Sequence, residues 1–158
     1  MQWHLLERAP HQGLQRWVRD LNTWYRGEPA LHQLDTDPAG FAWIDCNDAD
    51  TSVLTYLRRG THAADVLAVA CNFTPVPRHK YRVGVPSGGQ WQEILNSDAT
   101  EYSGSGQGNL GAVEAVPESF YDKFDFTLSV TLPPLAIVVF KRQLTDSPER
   151  KVPQPQTP

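Results

Sequence analysis

A chain of 158 residues is long enough for one domain with a real core plus an extra element. Its 14 Lys+Arg against 18 Asp+Glu, a net charge of −4, leave no basic stripe for nucleic acid and no basic amphipathic helix for a membrane surface. The longest apolar run, Leu135–Phe140, is too short to span a bilayer, and residues 1–10 lack the apolar stretch of a signal peptide, so a soluble, cytoplasmic chain is expected.

The first predicted element is a helix. Leu14, Trp17, Val18, Leu21 and Tyr25 recur at helical spacing and share one face, while Arg16, Arg19 and Asp20 take the other. Gly27 and Pro29 stop it, and a second short turn is expected over residues 29–34. Asp35, Asp37, Pro38 and Gly40 close the helical part. From Phe41 the period changes to two. Strands are predicted at 41–45, 53–57, 66–73, 81–85, 91–95, 113–116, 124–130 and 135–141. The unbroken apolar run at 66–73 predicts a central strand covered on both faces. Phe124, Phe126, Leu128 and Val130 alternate with polar residues, as on a half-exposed strand. Eight short strands at this spacing predict a mostly-β chain, an antiparallel β-sandwich over 38–143, preceded by one or two helices in 1–37. The tail, 144–158, is rich in Pro, Gln and charge, and is expected to be disordered.

Few side-chain constellations carry chemistry. Asp35, Asp37, Asp45, Asp48 and Asp50 cluster, but among turn residues, where a carboxylate bonds its own backbone. Residues 45–56 fail as a calcium loop at Ala49, Asp50 and Tyr56. His4, His11, His32, His62 and His79 lack ligand spacing, so neither a metal nor a cofactor is expected. Cys46 and Cys71 read as reduced, largely buried thiols. Residues 104–109 lack the Lys-Ser/Thr of a phosphate loop and read as a flexible loop. Sugar binding is the more serious idea, because glucans lie on flat aromatic rings beside polar side chains. Trp91 and Tyr102, flanking Asn96-Ser97-Asp98, are the first candidates. Trp43, Tyr56 and Tyr81 are alternatives.

Several segments in order then point further. They are Trp3-His4-Leu5-Leu6, Arg19-Asp20-Leu21-Asn22, Tyr25-Arg26-Gly27-Glu28-Pro29-Ala30-Leu31-His32, residues 40–50, Cys71-Asn72-Phe73-Thr74-Pro75-Val76-Pro77-Arg78, Tyr81-Arg82-Val83-Gly84-Val85-Pro86, Leu95-Asn96-Ser97-Asp98, residues 104–109 and Leu132-Pro133-Pro134-Leu135. Together they resemble the end of glycogen branching enzymes of the α-amylase superfamily, over about residues 1–142. Residues 118–125 depart from that pattern, which usually carries more Pro, Trp and Gly there.

The resemblance implies an intact enzyme that cleaves an α-1,4 link and transfers the freed chain to a 6-hydroxyl, through a carboxylate nucleophile and an acid/base. Those carboxylates would sit on a (β/α)₈ barrel upstream of Met1, so this chain by itself is expected to be inactive and to hold no catalytic residue. The helix at 11–25 would be the last barrel helix, with the barrel as partner and α-glucan or glycogen as ligand. The sandwich would cover part of the helix's apolar face and the barrel the rest. The plainer alternative is a helix that simply packs on the sandwich. Trp3 and His4, preceding that helix, would lie toward the active-site side and join Trp91 and Tyr102 as candidate glucan contacts. The rival reading is a stand-alone glucan-binding module.

Overall fold

The computed structural model describes residues 3–143, so the expected tail at 144–158 lies outside the described residues. A 3₁₀ turn, Trp3–Glu7, leads into α1, Ala9–Gly27. Pro10 stands in the first turn, where a missing N–H costs nothing. At the far end Glu28 turns extended and its N–H bonds Trp24 O at 2.9 Å. Pro29 then starts α2, Pro29–His32. The Asp37 carboxylate accepts from Ala39 N at 2.8 Å, capping a 3₁₀ turn at Pro38–Gly40.

Eight strands follow: β1 Phe41–Asp45, β2 Val53–Arg59, β3 Val66–Asn72, β4 Arg78–Val85, β5 Gly89–Asn96, β6 Ala112–Phe120, β7 Phe124–Leu132 and β8 Ile137–Arg142. All pairs are antiparallel, in the order β1-β2-β3-β8-β5-β6-β7-β4. The sheet is continuous and curled. Its corner is β6, which is longer than the expected 113–116. Ala112–Ala115 pair with β5, whereas Val116, Pro117 and Phe120 pair with β7. One strand thus passes from one layer of the sandwich to the other.

Between the layers lies the main core. Val53, Leu57, Ala68, Trp91, Val138 and Phe140 come from one layer, and Val83, Val85, Leu128, Val130 and Leu132 from the other. Each fully buried Val, Leu or Phe contributes about 1.5–3 kcal/mol relative to exposure.

A second core explains the unbroken apolar run of β3. Leu67, Val69, Val139 and Leu95 point outward from the sheet and meet Trp17, Leu21, Trp24, Ala30 and Leu31. The helix face expected at 14–25 therefore divides in two. Trp17, Leu21 and Trp24 turn toward the sheet, whereas Leu14, Val18 and Tyr25 stay exposed. Asp20 and Arg16, expected on the solvent face, instead reach a neighbouring turn: Asp20 Oδ2 accepts from the Tyr102 hydroxyl at 3.2 Å and Arg16 donates to Glu101 O at 2.8 Å.

Candidate functional site

The acidic residues are the first chemistry to place. Asp45 ends β1 and its carboxylate accepts from Asn47 N at 2.8 Å. Asp48 takes Thr51 N at 3.1 Å and the Tyr81 hydroxyl at 2.8 Å, and also bonds the Thr51 hydroxyl. Burial by itself would raise Asp48, but the donated hydrogen bonds and nearby Arg78 outweigh it and hold its carboxyl below the usual value. Burial first, and then the same contact, push the Tyr81 phenol up. Asp35 pairs with Arg58 at 2.6 Å. These acids tie turns together; Asp45 and Asp48 line one cleft, but there the donors around Asp48 hold its carboxyl low, whereas a glycosidase acid is raised. Among the described residues no three His, Cys, Asp or Glu side chains converge on a metal position.

The expected sugar contacts separate. Trp91 has no exposed surface: its ring belongs to the main core and its indole N–H donates to Ser87 O at 3.1 Å. It offers no face to a sugar, which corrects its place as first candidate. It falls on the inner side of β5, and alternation along a strand separates faces without saying which is inward. Tyr102 is half-buried. Its ring stands edge-on to Trp17, centroids 4.9 Å apart, and its hydroxyl bonds Asp20. Burial first, and Asp20 second, push that phenol up to about 12. Tyr102 thus fastens a 3₁₀ turn, Thr100–Tyr102, to α1. Trp3 and His4 are exposed on the N-terminal turn, far along the chain from the other two.

The outward aromatic surface lies on β1 and β2 instead. Phe41, Trp43 and Tyr56 form a cluster, Phe41 stacked on Tyr56 at 5.3 Å and edge-on to Trp43 at 4.9 Å. Trp43 pairs directly with Tyr56 across the strands and is 43% exposed. Phe41 and Tyr56 also wall a groove of about 340 Å³ under α1, with Asp35 and Arg58 as its charged members. Edge position was the missing signal: β1 ends the sheet, so its outward rings have a neighbouring strand on one side only.

Two further expectations change. Cys46 is exposed in the β1–β2 loop, and only Cys71 is half-buried, its thiol pushed up by burial. The Gly-rich segment 104–109 is pinned rather than loose. The Asp98 carboxylate accepts from Ser105 N at 2.9 Å and bonds the Ser105 hydroxyl, while Asp98 O accepts from Gly106 N at 2.8 Å. Asn96 donates to Gln107 O at 2.7 Å, and Asn109 bonds both Glu93 and Thr131. At Gly104 a Cβ would lie 2.2 Å from Asp98 O, so only glycine fits the wrap.

A further concave surface is apolar and lies along a different stripe of α1 from the one that faces the sheet. Leu14 and Val18 meet Trp3, Leu5 and Leu6 there around a groove of about 730 Å³. Trp3 and Leu14 are 68% and 60% exposed.

Comparison with known proteins adds the family. Residues 43–143 match the alpha amylase, C-terminal all-beta domain. The 1,4-alpha-glucan branching enzyme GlgB of Aquifex aeolicus is 51% identical over 143 residues, which is 90% of this chain and 22% of that protein. Those of Aromatoleum aromaticum and Paramagnetospirillum magneticum are 50% and 52% identical, over 93% and 90% of this chain. The chain spans about a fifth of the length of these curated relatives, 19% to 23%, and is homologous to their C-terminal part.

Proposed function

The chain belongs to the family of the alpha amylase C-terminal all-beta domain, and from that premise we propose that it serves as the non-catalytic C-terminal portion of a cytoplasmic 1,4-alpha-glucan branching enzyme. In this reading the rest of that enzyme carries the barrel and the two carboxylates that cut an α-1,4 link and make the α-1,6 branch. Residues 1–37 are the end of that barrel and 38–143 its accessory sandwich. The observation that carries the reading is the exposed stripe of Leu14 and Val18 facing Trp3, Leu5 and Leu6. Soluble surfaces seldom leave such a patch bare unless something docks there. The docking partner is the barrel, and Trp3 and His4 stand at that junction.

The test is co-production of this chain with a family barrel fragment ending just before the residue that aligns with Met1. Branch formation is read by iodine staining and by debranching. Activity with both pieces and with neither alone supports the reading. Barrel activity that is indifferent to this chain overturns it.

A second reading is favoured by the outward cluster of Phe41, Trp43 and Tyr56, whose rings suit a sugar face. Here the sandwich holds glucan by itself. Retardation in a glycogen gel, lost on Trp43→Ala and kept on Trp91→Phe, is the outcome this reading requires.

A further inference from the structure

Two core-facing rows of the sandwich end in charge. Leu57 of β2 and Phe140 of β8 are buried in the main core, and the residues two further along on the same faces are Arg59 and Arg142. Both stand at one open end of the sandwich. There they wall a cleft of about 460 Å³ together with the β2–β3 loop and the Pro86-Ser87 turn between β4 and β5.

Neither guanidinium is neutralised. Arg58, one residue earlier and on the other face, pairs with Asp35 at 2.6 Å, whereas Arg59 and Arg142 make no ion pair among the described residues. Asp65 is close in the chain but does not line the cleft: its carboxylate lies against Gly60, where a Cβ would stand 3.2 Å from Oδ2. His62 adds a further basic group on the exposed rim. A chain of net charge −4 thus carries a cleft whose titratable lining is wholly basic.

The walls are fixed in place. Gly60 N bonds Asp65 O at 2.8 Å, and Thr61 donates its N–H and its hydroxyl to Gln33 Oε1 at 3.0 Å and 2.9 Å. Arg142 Nε donates to Gly88 O at 3.0 Å, which orients the guanidinium and leaves its two Nη groups to face the cleft. Paired guanidinium N–H donors match the spacing of two phosphoryl oxygens. Ala63, Ala64 and Val66 supply apolar surface beside them, which suits the organic body of an ester. We propose that this cleft binds a small phosphate monoester, with Arg59 and Arg142 on phosphoryl oxygens and the Ser87 hydroxyl as a further donor. The cleft shares no residue with the barrel-facing stripe or with the outward aromatic cluster, so it stands or falls apart from both readings above.

The experiment is an NMR titration of the ¹⁵N-labelled chain at fixed ionic strength, with phenyl phosphate and separately with inorganic phosphate. Expected are shifts clustered at 59–66, 86–89 and 142, with phenyl phosphate the tighter ligand. Arg59→Gln should bind it roughly tenfold more weakly, because a charge-assisted pair is lost. Its Tm should match the parent's, since Arg59 holds no other charged group. Arg142→Lys keeps the charge and loses the fork, and should weaken binding less. Inorganic phosphate binding as tightly as phenyl phosphate overturns the monoester assignment. Shifts that sodium chloride reproduces, or no shifts with either phosphate, overturn the site. So does an Arg59→Gln variant that loses stability yet binds like its parent, which would make the arginine stems a plain cap on the core.

Discussion

Gly13 sits where α1 comes closest to the Thr100–Tyr102 turn. A Cβ there would lie 2.5 Å from Ser103 Oγ and 2.6 Å from Tyr102 O. The contact it permits is sealed by Tyr102, whose phenol is raised from 10.0 to about 12 by burial and by Asp20. A phenol raised in the folded state favours the fold while it is protonated. Its contribution is complete below its unfolded value and is lost as pH climbs through the folded one. Denaturation midpoints of the parent should therefore fall between pH 10.0 and about 12 by more than those of Tyr102→Phe, which lacks that proton. Equal slopes would mean that Asp20 and Tyr102 are uncoupled in solution. Residues such as these were the least legible in the sequence. Trp91 and Trp43 both sit in alternating strands, and periodicity places each on a face without saying whether that face is inside. One fills the core and the other lies open on the sheet's edge strand.

Elements were more legible, because their signal repeats. The alternation at 124–130 and the unbroken run at 66–73 gave β7 and β3, and the Gly27–Pro29 stop gave the end of α1. What periodicity could not show is that α1 has two adjacent apolar stripes, about a fifth of a turn apart, serving different neighbours. Nor could it show that the Asn and Asp residues of the family-like segments act as pins. Asn72 donates to Val76 O and Pro133 O, both at 2.9 Å, and accepts from Thr74, so one amide organises two loops. Where α1 ends, the pin to the sandwich is an ion pair. Glu28 is 5% exposed, and Lys141 of β8 reaches its carboxylate at 2.7 Å and 3.0 Å. Losing one partner strands a buried charge. Lys141→Met should cost about 2 kcal/mol by urea denaturation, a value lowered because the lysine is partly solvated. The double variant Lys141→Met, Glu28→Gln should recover much of that. Equal losses in single and double variants would show that the pair contributes only packing.

At the scale of the whole molecule the two stripes of α1 set up a separable prediction. Trp17, Leu21 and Trp24 hold the helix to the sheet, so polar residues at Leu14 and Val18 should leave the fold intact. The bare stripe should make the isolated chain bind hydrophobic dyes and associate as concentration rises. Leu14→Glu with Val18→Glu should abolish both, while the circular dichroism spectrum and Tm stay near the parent's. The same pair should also prevent this chain from restoring branching activity to the barrel fragment, because a carboxylate buried against apolar strands lacks a partner. Loss of dye binding with full restoration would place the barrel elsewhere on the surface. Loss of both makes one stripe of one helix the seam between the catalytic body and its sandwich.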